Sequence, residues 1–172
     1  MCLLQDLYLL FVSWARKSPI AKRFLALGGT STKWCGPGNI ASNYYDLGRS
    51  RDTDICCRQH DHCFDFIEPG EWKHGLYNSP DWNVAMHCDC DEEFRRCLRG
   101  VGGWAASQVG RVYFNVKNMR CFREDYPVLG CSYTEEGWWQ TKCNWPAYDY
   151  NGEKRYQWFN VNFYENYNSI FF

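Results

Sequence analysis

A chain of 172 residues with a net charge of −1 has room for one domain and carries no surplus of cations, so bulk attraction to nucleic acid or to strongly anionic lipid is excluded as its binding principle. No apolar run reaches the ~18 residues of a membrane span. There are eleven cysteines, ten of them between Cys35 and Cys143, and that density reads as a disulfide framework formed in an oxidising compartment.

In chain order, residues 1–23 read as a leader. Leu7 to Ala15 is a short apolar run, but Asp6 precedes it and Arg16-Lys17 follow it, the reverse of a signal peptide's charge order. Lys22-Arg23 is a dibasic cleavage candidate. Loss of this stretch would remove Cys2, leaving an even ten cysteines, and would shift the net charge to −4.

Trp34-Cys35-Gly36-Pro37-Gly38-Asn39 reads as a tight loop, because Gly36 and Gly38 permit the curvature that turns successive carbonyls toward a hard cation. Pro37 stiffens the turn and removes one N–H. A helix is then expected from about Asp54 into Phe66, with Thr53 as N-cap and Asp54 favouring the helix dipole. Glu68-Pro69-Gly70 ends it, and residues 70–83 read as an exposed loop or hairpin. Val84 to Leu98 reads as a second helix, closed by Gly100 and Gly102-Gly103. Ala105, Val109, Val112 and Val116 mark a third helical stripe over 104–116. After Pro127, irregular spacing with Gly130, Gly137 and Pro146 among Tyr- and Trp-rich runs points to short strands and turns.

Cysteine spacing sharpens this picture. Cys56 and Cys63 are seven apart, as are Cys90 and Cys97, close to two helical turns, so each pair lies on one helix face. Two helices stapled through those faces would lie side by side. Antiparallel pairing gives Cys63–Cys90 and Cys56–Cys97. Parallel pairing also satisfies the spacing, but the 64–89 connection closes the antiparallel form more simply. His60 is i+4 from Cys56, facing the second helix, while Asp61 is i+4 from Cys57. If Cys57 bonds Cys35, the glycine loop is drawn over Asp61.

This grouping offers a chemistry. Asp61 would add charged oxygens to the loop carbonyls. His60 is a candidate general base, and either Asp89 or Asp91 could orient it; spacing alone does not choose. His62, His74 and His87 read as surface or packing residues. No Gly-x-Ser-x-Gly elbow occurs, which disfavours a serine hydrolase. What remains is attack by water on an ester, with the cation stabilising the oxyanion. A zinc domain built from Cys57, His60, Cys63, His87, Cys88 and Cys90 is a rival, as is a toxin or receptor ligand with little catalysis.

WCGPGN and TDICCRQHDHC, followed in order by KHGLYN, CDCDEEF, GRVYFN and YQWF, resemble the secreted phospholipases A2, specifically the bee-venom-like group III branch, over about Trp34 to Phe163. The resemblance implies a mainly α, disulfide-rich fold: two antiparallel stapled helices, a third helix, a calcium loop and a small β or irregular C-terminal region. The phospholipase A2 domain would span 24–163, with 164–172 as a tail. The resemblance implies calcium as cofactor, held by the carbonyls of Trp34, Gly36 and Gly38 and the carboxylate of Asp61. It implies His60 as base, Asp91 as its orienting partner and Tyr113 in support of Asp91. It further implies the disulfides Cys35–Cys57, Cys56–Cys97, Cys63–Cys90, Cys88–Cys121 and Cys131–Cys143. The expected protein is a secreted monomer that acts peripherally on phospholipid membranes, cleaving the sn-2 ester. Some of Phe64, Phe66, Ile67, Trp72 and Trp82, near the expected mouth of the site, are expected to meet the membrane.

Overall fold

The computed structural model describes residues 31–36, 38–117, 119–137 and 140–165; the leader with Cys2, Pro37 and the end of the tail lie outside them. The chain divides into two compact units, Met1–Arg58 and Gln59–Phe172.

The described part of the first unit is the glycine loop, a connecting segment and most of helix α1 (Arg51–Asp61). Asp52 and Asp54 lie in the first turn of α1, where negative charge favours the helix dipole. The helix begins two residues before Thr53. The Asp54 amide already bonds the Ser50 carbonyl at 2.9 Å, so Thr53 is buried inside the first turn instead of capping it. Cys35 is bonded to Cys57.

In the second unit, α1 stops at Asp61, short of the expected Phe66. Phe66–Ile67 is strand β1 instead, antiparallel to β4 (Ala85–Met86) with Ile67 opposite Ala85. The reason is packing. Ile67, Ala85 and Phe122 form a buried cluster, with Leu76, Tyr156 and Trp158 against it, and extended backbone delivers Ile67 and Ala85 there together. Ile67 is thus a core residue and not one of the exposed apolar positions. Between β1 and β4, strands β2 (Trp72–Lys73) and β3 (Leu76–Tyr77) make a hairpin. Its two-residue turn has positive φ at both His74 (53°) and Gly75 (75°), the twist-matched geometry for a tight hairpin.

Helix α2 (Cys88–Val101) starts four residues later than Val84, because Ala85–Met86 is committed to the sheet. His87 caps it, its Nδ1 accepting from the Asp89 amide, and Gly102 at φ 63° ends it. Its buried stripe is Cys88, Cys90, Asp91, Phe94 and Leu98. Helix α3 (Gly103–Gly110) follows and widens into a π-helical segment, Arg111–Val116. Gly110 is required where it stands: a Cβ would come within 2.4 Å of the buried Tyr164 ring. Tyr164 and Glu165 therefore pack as part of this unit, Glu165 pairing with Arg111 at 2.9 Å.

Two antiparallel pairs complete the unit: β5 (Arg120–Asp125) with β8 (Arg155–Asn160), and the longer, bulged β6 (Val128–Glu136) with β7 (Thr141–Tyr148). Strand is as abundant as helix among the described residues, so the mainly α expectation is corrected to a mixed fold. Tyr, Trp, Val and Thr after Pro127 favour extended backbone and form long strands where short ones were expected.

Cys63–Cys90, Cys88–Cys121 and Cys131–Cys143 are bonded, and Cys56 and Cys97 are each disulfide-bonded as well. Cys63–Cys90 is the connectivity that antiparallel pairing requires. With Cys57, Cys63, Cys88 and Cys90 consumed in disulfides, the zinc arrangement has lost its thiolates.

Among the described residues of the second unit, one lysine is buried. Lys142 on β7 is fully enclosed, donates to the carbonyls of Phe114 and Val161 at 2.6 Å each, and lies 4.4 Å from the centre of the Phe163 ring. Burial lowers its pKa from 10.5 to about 8. Between those values the unfolded chain binds more protons than the folded one, so this group makes stability rise with pH. Urea unfolding at pH 7 and pH 9 should show wild type gaining roughly 1 kcal/mol more than Lys142→Met across that interval. Equal pH slopes in the two proteins would contradict this account.

Candidate active site

In the first unit, residues 33–40 form a closed loop: the Ile40 amide donates to the Lys33 carbonyl at 2.9 Å. Gly38 has φ 76°, in the region that favours glycine. Trp34 is buried, its indole N–H donating to the Asp46 carbonyl at 3.0 Å and its ring edge-on to Tyr44. Lys33 pairs with Asp46, which together with Ser42 holds that carboxyl well below the usual range. Gly36 and Gly38 are exposed, and among the described residues no hydrogen bond engages their carbonyls. Such open backbone oxygens suit a hard cation. No group of three or more His, Cys, Asp or Glu side chains is placed to hold a metal among the described residues.

A residue that sequence reasoning undervalued organises this loop. Asp54 is wholly buried and accepts from the amides of Lys33 (2.8 and 2.9 Å), Trp34 (2.7 Å) and Gly48 (2.8 Å). Its position three residues before Cys57, hence on the same helix face, is the signal that could have found it.

In the second unit, Asp61 is the exposed last residue of α1 and His60 beside it is buried. His60 Nε2 lies 2.8 Å from Asp91 Oδ1, and the Tyr113 hydroxyl donates to that same oxygen at 2.8 Å while standing 3.3 Å from Nε2. An ionised carboxylate can only accept, so Nε2 carries the ring proton and Nδ1 keeps its lone pair. Asp91 is 1% exposed, whereas the Asp89 side chain is 78% exposed, so burial separates the two candidates that spacing left equal. Burial, then the charge of Asp91 and its hydrogen bond, then the charge of Asp61, push the Tyr113 pKa well up and keep it a phenol donor.

Phe94 is the residue that sequence reasoning missed. It stacks on the imidazole with ring centres 4.3 Å apart and meets the Tyr113 ring edge-on at 5.4 Å. Its spacing of three from Asp91 on α2 puts it on the same face, which was readable in advance.

A family model described as phospholipase A2 matches residues 29–125. The chain belongs to the phospholipase A2 family. It is 46% identical over 133 residues to a phospholipase A2 of Bombus terrestris, covering 76% of this chain and 94% of that protein. Against a phospholipase A2 of Apis cerana cerana the identity is 41% over 134 residues, covering 77% and 96%. The likeness extends outside bees: phospholipase A2 isozymes of the lizard Heloderma suspectum are 50% identical over 91 residues, 53% of this chain and 63% of theirs. The residues matched by the family model include the loop, α1, α2 and Tyr113, the elements that carry the geometry above.

The two supports of the His60 network should be separable in this phospholipase A2 by unfolding in urea. Tyr113→Phe leaves the ring in place but takes a donor from a buried carboxylate, an expected loss of about 1.5–3 kcal/mol. Phe94→Ala opens a cavity under the imidazole, an expected loss of about 3–5 kcal/mol. A smaller loss for Phe94→Ala than for Tyr113→Phe would show that the stack carries little of the packing.

Proposed function

We propose that this chain is a secreted, calcium-dependent phospholipase A2 that hydrolyses the sn-2 ester of glycerophospholipids to a lysophospholipid and a free fatty acid. The observation that carries the reading is the buried His60–Asp91–Tyr113 network in a chain that covers nearly all of a phospholipase A2 relative. A pure receptor ligand would have no use for a buried imidazole held in one tautomer.

His60 takes the proton of the attacking water at Nδ1. Asp91 holds the opposite nitrogen and stabilises the imidazolium that forms. Tyr113 fixes the carboxylate, and Phe94 fixes the plane of the ring. The carbonyls of Trp34, Gly36 and Gly38 and the carboxylate of Asp61 are the oxygens we assign to calcium. When bound, the ion supplies a positive charge that polarises the ester carbonyl and stabilises the oxyanion. The disulfide framework supports secretion, and no helix among the described residues is long and apolar enough to cross a membrane. We assign the protein a peripheral, monomeric mode of action on the lipid surface.

Hydrolysis of a phospholipid labelled at sn-2 tests the activity: labelled fatty acid should be released with calcium and not in its absence. Release of the sn-1 chain, or equal rates in chelator, would overturn the assignment. His60→Gln should fold normally while losing roughly 10²–10⁴-fold in turnover; a folded variant with near wild-type rate would remove His60 from the mechanism.

Lipid contact has its own expected signature. Phe64 and Trp72 are 74% and 69% exposed, whereas Trp82, 40% exposed, is partly covered by the Arg120 guanidinium at 4.1 Å. Phe64→Ala and Trp72→Ala should each weaken vesicle binding, by at most about 1.5–3 kcal/mol, and leave hydrolysis of monomeric short-chain substrate unchanged. Trp82→Ala should act through stability. Vesicle sedimentation alongside monomer kinetics distinguishes the two classes.

A further inference from the structure

Gly36 and Gly38 bring no side chains to hold the loop assigned to calcium, yet its start is fixed from inside the fold. The amides of Lys33 and Trp34 point to one buried carboxylate, that of Asp54, and the Gly48 amide joins them from the far side of the connecting segment. Consecutive backbone N–H groups converging on an anion form a nest, and here the anion is supplied by the protein itself. The N–H of Trp34 and the C=O of Lys33 belong to one planar peptide and point in opposite directions. The first is held by Asp54 and the second accepts from Ile40, the residue that closes the loop. One peptide plane is thereby pinned at both ends, and the following residue, Cys35, is pinned by its bond to Cys57.

We propose that Asp54 is a positioning residue that preorganises the calcium loop before any metal arrives. It touches no substrate and is not a ligand. With the N–H groups of Lys33 and Trp34 held on its carboxylate, the ordering left to metal binding falls on the exposed residues Gly36 and Gly38. Ordering a backbone residue costs about 1–2 kcal/mol, and in this arrangement the cost falls on folding and not on metal binding. Weak extracellular calcium sites, with dissociation constants of roughly 10⁻⁴–10⁻³ M, are sensitive to such a difference. The proposal rests on the calcium reading above, but its structural half does not need the ion.

Hydrogen exchange followed by NMR on the full chain in chelator tests that half. The amides of Lys33, Trp34 and Gly48 should be protected in the calcium-free wild type. Asp54→Asn replaces one accepting oxygen by a donor, so it should expose the amide left facing that donor, Gly48 where Oδ1 is the oxygen kept, while β5 and β8 keep their protection. Calorimetric calcium affinity should fall by roughly 10- to 100-fold, as for other residues that orient metal ligands. Gly48→Ala supplies an independent handle that leaves the carboxylate intact: its Cβ would meet the Ser31 carbonyl at 2.4 Å, forcing the Gly48 amide away. It should weaken calcium binding in the same direction, and it decides the matter if Asp54→Asn does not fold. Free exchange of the three amides in the calcium-free wild type, or unchanged calcium affinity in the variants, would overturn the proposal. Wild type that protects these amides but binds no calcium would overturn the calcium reading instead, and the two failures are told apart by the exchange data.

Discussion

A carboxylate shut away from water needs donors, and the second unit is arranged around one such group, whose Oδ1 is met twice while its Oδ2 has no hydrogen-bond partner among the described residues. Asp91 is almost wholly buried on α2, and its Oδ1 is met by His60 from the end of α1 and by Tyr113 from the π-helical segment. Breaking a buried charge's partnership costs several kcal/mol, so the three elements that bring these side chains together are not free to drift. Cys63–Cys90 sets the same distance covalently, since Cys63 lies three residues after His60 and Cys90 immediately precedes Asp91. The hydrogen bond chooses the tautomer; the disulfide and the Phe94 stack choose where the ring sits.

The first unit uses the same physical device to another end. Asp54 is also a buried carboxylate, but its donors are backbone amides, so what it fixes is the course of the main chain. A loop of two glycines and a proline has little side-chain packing with which to hold a shape. An anion buried beneath it, together with the Cys35–Cys57 bond, supplies what the loop's own composition cannot. Both solutions depend on charge-assisted hydrogen bonds, which are stronger and more directional than neutral ones.

The residues whose meaning was legible in the sequence are those fixed by spacing or by motif. The seven-residue cysteine interval anticipated Cys63–Cys90, and the motifs identified the family. What was not legible depended on long-range competition. Periodicity could not tell that Phe66–Ile67 and Ala85–Met86 would leave their helices to pair with each other, because the gain comes from burying Ile67 and Ala85 against Phe122, more than thirty residues away. Nor could it tell Asp89 from Asp91, which differ only in which side of α2 is covered. Asp54 was read as a helix-dipole residue because that role is local; its larger role needs Lys33 and Gly48, which only the folded chain brings near.

The buried Lys142 is at first sight a poor choice, since desolvation works against its charge. Its place becomes intelligible from the π-helical segment beside it. Widening the helix from i+4 to i+5, as in the Lys117 amide bonding the Val112 carbonyl, disturbs the regular ladder. Phe114 sits inside that segment with a carbonyl that takes its partner from Lys142. Tyr113, one residue earlier, reaches Asp91. Two neighbouring residues are therefore gripped from opposite directions, one through its side chain by a buried anion and one through its backbone by a buried cation. An apolar residue at 142 would relieve the desolvation cost, but it would take the Lys142 donor from the Phe114 carbonyl and remove the contact that ties the segment to β7 and to Val161. The widened register that carries Tyr113 and the buried cation that bonds its neighbour are thus one structural feature, and the desolvation of Lys142 is the counterpart of holding the His60 network in a single geometry.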